Sequence, residues 1–155
     1  MSGRIRVVAR VVGAAGLAGV AVLHAVWAAG SPWPARSSRE LAEAVVGQAD
    51  TMPGAAPTAV VAAGAAGASL LAAGALGDGK LQRAGLRIVG TGLLLRAILG
   101  GEAALAALGL PPAGERFRRL DRRCYRPFTA VAGLALWIAA KPPSESCSRD
   151  SRTPG

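Results

Sequence analysis

Three side chains of this chain could do chemistry in an apolar setting: His24, Arg96 and Glu102. A histidine and a carboxylate at one depth can share a proton, and a guanidinium inside an apolar segment can hold an anion or a lipid headgroup. Asp121 and Tyr125, four residues apart, would share one face of a helical turn and could form a hydrogen-bonded corner. The chain has one histidine and two cysteines, Cys124 and Cys147, without metal-ligand spacing, so a zinc site, a haem ligand pair and a Cys-His nucleophile are all disfavoured. No metal, no cofactor and no enzyme activity is expected.

The elements that carry these residues are apolar. Of 155 residues, 52% are hydrophobic and 17% charged, too apolar for an ordinary soluble domain of one-domain length. So many Ala and Gly side chains would make a thin soluble core, whereas in lipid small residues let helices approach closely. The net charge of +9 is gathered at the ends of the apolar runs, as in a multi-pass membrane protein, and not in a stripe with exposed aromatics. Nucleic acid is therefore not the expected partner. Membrane lipids are, anionic ones among them, and a homo-oligomer or a membrane-protein partner is left open.

Four spans are expected, at 11–30, 58–77, 88–110 and 124–141, forming a membrane domain over 1–141 with a disordered tail at 142–155. The first could also be a cleaved secretory signal, but it is long for one and further apolar segments follow. Ser37-x-x-Glu40 fits a capping box, with Leu41, Ala44 and Val45 at helical spacing, so a short interfacial helix is expected in the first loop. Glu115 to Arg126 holds six arginines against two acids and reads as a third loop. Basic residues number nine on the side of the amino terminus and eight on the other, so charge barely decides orientation. An amino terminus on the cytoplasmic side of the cell membrane is expected, because the first helix usually dominates.

On this scheme His24 and Glu102 both lie about 21 to 23 Å from the inner end, so they could pair. Arg96 lies about 13 Å from that end, level with Ser69 on the second span. A serine hydroxyl is a poor partner for five guanidinium donors, so backbone carbonyls near Gly90, Gly92 or Gly100, or a water-filled cavity, would have to contribute. Arg96 is expected to face the bundle interior.

The pattern His24-x-x-Trp27-x-x-Gly30-x-x-Trp33-Pro34, Met52-Pro53, Leu94-Leu95-Arg96-Ala97-Ile98 and Phe117-x-x-Leu120-Asp121-x-x-x-Tyr125-x-Pro127 resembles the domain of unknown function 3995 family. The resemblance implies a small four-helix bacterial membrane protein, mostly actinobacterial, and assigns no activity. It marks His24, Trp27, Trp33, Arg96, Asp121, Tyr125 and Pro127, and leaves out Glu102. The expected class is all-α, a four-transmembrane-helix bundle acting as a structural or accessory membrane protein through helix packing or lipid contact. The alternative is a small transporter or ion-coupled permease using His24, Arg96 and Glu102.

Overall fold

In the computed structural model, residues 3–47, 54–107, 109 and 111–142 are described, and no strand occurs among them. The expected tail, Met52-Pro53 and Cys147 lie outside the described residues, apart from the tail's first position.

The first apolar run folds as α1, Gly3–Ala28, starting well before the expected boundary because the basic leader continues the helix. In the first loop α2, Ser38–Val45, begins as its sequence dictates: Ser37 Oγ accepts the Glu40 amide at 3.2 Å, and Glu40 accepts the Arg36 amide at 3.1 Å. Leu41 and Ala42 are its buried side. The second run is α3, Ala55–Ala73, which ends where Gly74 enters the left-handed region.

The stretch 88–110 departs from expectation. Its helix begins earlier, as α4, Lys80–Leu99, and breaks at Gly100 before α5, Gly101–Ala107, which turns away by 103°. Gly100 has φ +81°, a value that favours glycine, and a Cβ there would collide with the Arg126 guanidinium. Arg96 is consequently in the last turn of α4 and not at the middle of a span.

The arginine-rich stretch is helical and not a loop. It forms α6, Glu115–Leu120, a π-helical stretch at Asp121–Tyr125, and α7, Arg126–Ala139. These follow one another without interruption, every junction residue lying in the right-handed helical region. Pro127 has no amide to donate to the Arg123 carbonyl and its ring would crowd that oxygen. The helix widens there, with the Arg126 amide bonding the Asp121 carbonyl five residues back.

Neighbours run antiparallel. Ser69 Oγ donates to the Ala14 carbonyl at 2.8 Å between α3 and α1, and Gly133 of α7 meets Gly90 of α4 so closely that an added Cβ would lie 2.9 Å from the Gly90 carbonyl. Leu17, Ala72, Leu86 and Leu136 fill the centre from all four long elements. A second cluster, Val46, Leu105, Ala113 and Phe117, lies where α2, α5 and α6 meet. Gln82 is fully buried in the α3–α4 turn, donating to the Leu71 carbonyl and accepting the Leu76 amide.

Two helices, α1 and α3, are long and apolar enough to cross a membrane, and α4 with α5 makes a third if the bent pair is one span. The fourth expected span is not among them, since α7 has only 14 residues.

Candidate functional site

The helix break creates the site. A break strands backbone groups on both sides, the last carbonyls of α4 and the first amides of α5, and both need partners if they are not to face an apolar surrounding unpaired. The α6–α7 segment supplies them. Asp121, at the start of the π-helical stretch, accepts the Gly101 amide at 3.0 Å through Oδ2, while Arg126 Nη2 donates to the Leu99 carbonyl at 3.4 Å.

The same two side chains complete a charge cluster. Asp121 Oδ1 accepts from Arg96 Nη2 at 2.7 Å, and Oδ2 accepts from Arg126 Nε at 3.1 Å. The Asp121 side chain is 5% exposed and that of Arg96 27%. Burial pushes the Asp121 carboxyl up, but the Gly101 amide, Arg96 and Arg126 outweigh it and hold the group below its ordinary value of 3.8. One carboxylate between two guanidinium groups leaves a net positive charge. Arg96 Nη1 is buried and has no hydrogen-bond partner among the described residues.

Arg96 therefore faces inward, as its sequence setting requires, but with a different partner. Ser69 is taken by Ala14, and the carboxylate that answers Arg96 comes from Asp121, expected to serve a corner with Tyr125. That corner does not form. Tyr125 Oη donates instead to the Ala44 carbonyl at 3.1 Å, and its ring lies 6.1 Å from that of Phe117. With Arg116 bonding Glu40 at 2.7 Å, this straps α2 onto α6. The Arg116 bond and the Arg36 amide lower the Glu40 pKa from 4.5.

His24 and Glu102 also have separate partners. His24 Nδ1 donates to the Val20 carbonyl one turn back at 2.8 Å, and its ring lies 4.8 Å from that of Trp27. Glu102 is half-exposed and pairs with Arg118 at 3.6 Å. The residues that sequence reasoning missed are Arg126 and Gly101. Their signal was faint: Gly100-Gly101 inside an apolar run is a break signal, and an arginine just before Pro127 resembles one more flanking charge.

Beside the cluster lies a groove of about 720 Å³, within the roughly 300–1,000 Å³ usual for small-molecule sites. The α1 wall carries Gly16, Gly19, Leu23 and His24, and the opposite wall carries Leu105, Phe117 and Phe128. His24, Trp27, Arg96, Cys124 and Tyr125 bring the polar side chains. Cys124 is a free, exposed thiol, and no group of three or more metal-ligating side chains occurs among the described residues.

No curated protein and no solved structure matches the chain. The model of one family of proteins of unknown function does match, over residues 17–136, a stretch that holds the Arg96–Asp121–Arg126 cluster and most of the groove's lining. By that match the chain belongs to the DUF3995 family.

Proposed function

We propose that this protein is a multi-pass membrane protein with a cytoplasmic amino terminus, and that it is a structural or accessory component acting through helix packing and lipid contact. The observation that carries the reading is what the helices leave uncovered. On α1 only Ala9, Gly13 and Leu17 are buried, while Val7, Val8, Val11 and Val22 are exposed. The same holds for Val60, Val61 and Leu70 on α3 and for Ile88 and Ile98 on α4. Apolar surface on several sides of a helix bundle is unfavourable in water and matches hydrocarbon.

The bare count of basic residues is nearly even, and their pairing separates the two ends. Arg4, Arg6, Arg10, Lys80, Arg83, Arg87 and Lys141 gather at the amino-terminal end, with Asp78 bonded by Arg6 and Arg10. At the far end α2, α5 and α6 form a cap, into which Arg116, Arg118 and Arg126 are tied by Glu40, Glu102 and Asp121. Those ties hold Arg116, Arg118 and Arg126, half of the arginines of a segment that a topology signal alone would not place on the outer side. Transport by His24, Arg96 and Glu102 as a set gains no support, since the three have different partners.

Extraction of membranes with alkaline carbonate tests the reading. The protein should stay with the sedimented bilayer, and its release into the supernatant would sink the proposal.

A further inference from the structure

We propose that the groove between α1 and the α5–α6 side binds one fatty acid, its acyl chain lying along Gly19, Leu23, Leu105 and Phe128 and its carboxylate accepting from the part of the Arg96 guanidinium that reaches the groove. This rests on the membrane reading above and names the lipid class that the site takes.

Three observations converge on that ligand. The groove is lined mainly by aliphatic and aromatic side chains, which suit a hydrocarbon tail. At its polar side Arg96 lines the groove with its side chain 27% exposed, while Asp121 already accepts from Arg96, Arg126 and the Gly101 amide. A guanidinium has five donors and Arg96 shares only one with Asp121, so a carboxylate oxygen is the acceptor that best answers the donors it turns to an apolar groove. The cluster's single net positive charge matches a monoanionic head. A volume of about 720 Å³ suits one chain with a compact head and is small for a lipid with two chains and a glycerol headgroup.

The α1 wall of the groove provides a clean test. A Cβ at Gly19 would meet nothing within 4 Å, so Gly19→Leu starts into open space and puts its branch into the groove that Gly19 lines. Gly64 on α3 is equally open and does not line the groove, so Gly64→Leu controls for the gain in helix propensity. The experiment is native mass spectrometry of the full chain in a maltoside detergent, titrated with oleate, oleyl alcohol or a lysophosphatidylcholine.

Oleate is expected to bind one to one, with oleyl alcohol weaker by at least about tenfold because it lacks the charge-assisted bond. Gly19→Leu should weaken oleate by at least about tenfold, and Gly64→Leu should leave it unchanged. The proposal is overturned if oleyl alcohol binds as tightly as oleate, if Gly19→Leu binds oleate normally, or if only the lysophospholipid or a second copy of the chain is retained. Release of the protein by carbonate would remove the membrane reading as well, whereas a membrane-retained protein that ignores oleate loses only this site.

Discussion

Asp121 is the residue on which the cap depends, because one carboxylate answers two guanidinium groups and a backbone amide. Removing its charge strands Arg96 beside an apolar groove. Asp121→Asn should lower stability by about 2–4 kcal/mol, less than a fully buried pair would lose because both arginines keep some solvent contact. Thermal unfolding of the purified variant measures this. The same carboxyl predicts an acid limb. Its folded pKa is depressed below 3.8, so its contribution is complete above pH 3.8 and is lost as pH falls further and the folded carboxyl takes up a proton. The stability gap between wild type and Asp121→Asn should hold at neutral pH and narrow below pH 3.8. A gap constant down to pH 2 would show that the charge is not what matters.

At the scale of elements, the bend between α4 and α5 and the strap of α2 are the two features built by few residues. Gly100→Ala forces a side chain onto φ +81° and into Arg126, and should cost about 1–3 kcal/mol. Gly64→Ala, in an exposed part of α3, should instead stabilise by roughly 0.5–1 kcal/mol. Equal effects of the two, read by the same thermal assay, would mean that the bend is not fixed by its glycine. Tyr125→Phe removes one hydrogen bond to the Ala44 carbonyl, worth about 1 kcal/mol. Its expected signature is local: faster amide exchange in Ser38–Val45 with α1 and α3 unchanged.

For the molecule as a whole, the prediction concerns sidedness. The antiparallel order of the long elements puts the amino terminus, the α3–α4 turn and the end of α7 at one end, and α2, α5 and α6 at the other. In a Cys-free background, Arg4→Cys and Lys141→Cys should react with a membrane-impermeant maleimide only from the cytoplasmic face, and Arg39→Cys only from the opposite face. Labelling of Arg4 and Arg39 positions from the same side would break the antiparallel bundle reading, and a swapped pattern would invert the orientation.

Much of the helical framework was legible in the sequence, because period and capping act over a few residues. The apolar runs marked α1 and α3, Ser37-x-x-Glu40 marked the start of α2, and an arginine in an apolar segment was bound to turn inward, since only a neighbour could compensate it. What remained hidden was every relation set by contact. An uninterrupted hydropathy profile over 88–110 conceals a break at Gly100, because hydropathy measures composition and a left-handed glycine changes direction without changing composition. Once the chain turns there, helix depths no longer follow from counting residues. His24 and Glu102 then find different partners, and Arg96 meets a carboxylate 25 residues away that had been expected to form a corner with Tyr125. The sequence alone determined the apolar helices α1 and α3, the start of α2 and the demand of Arg96 for a partner. Only the tertiary structure decided the partners, because a buried guanidinium is satisfied by distance and angle, and those exist once four antiparallel helices and one sharp bend have been packed together.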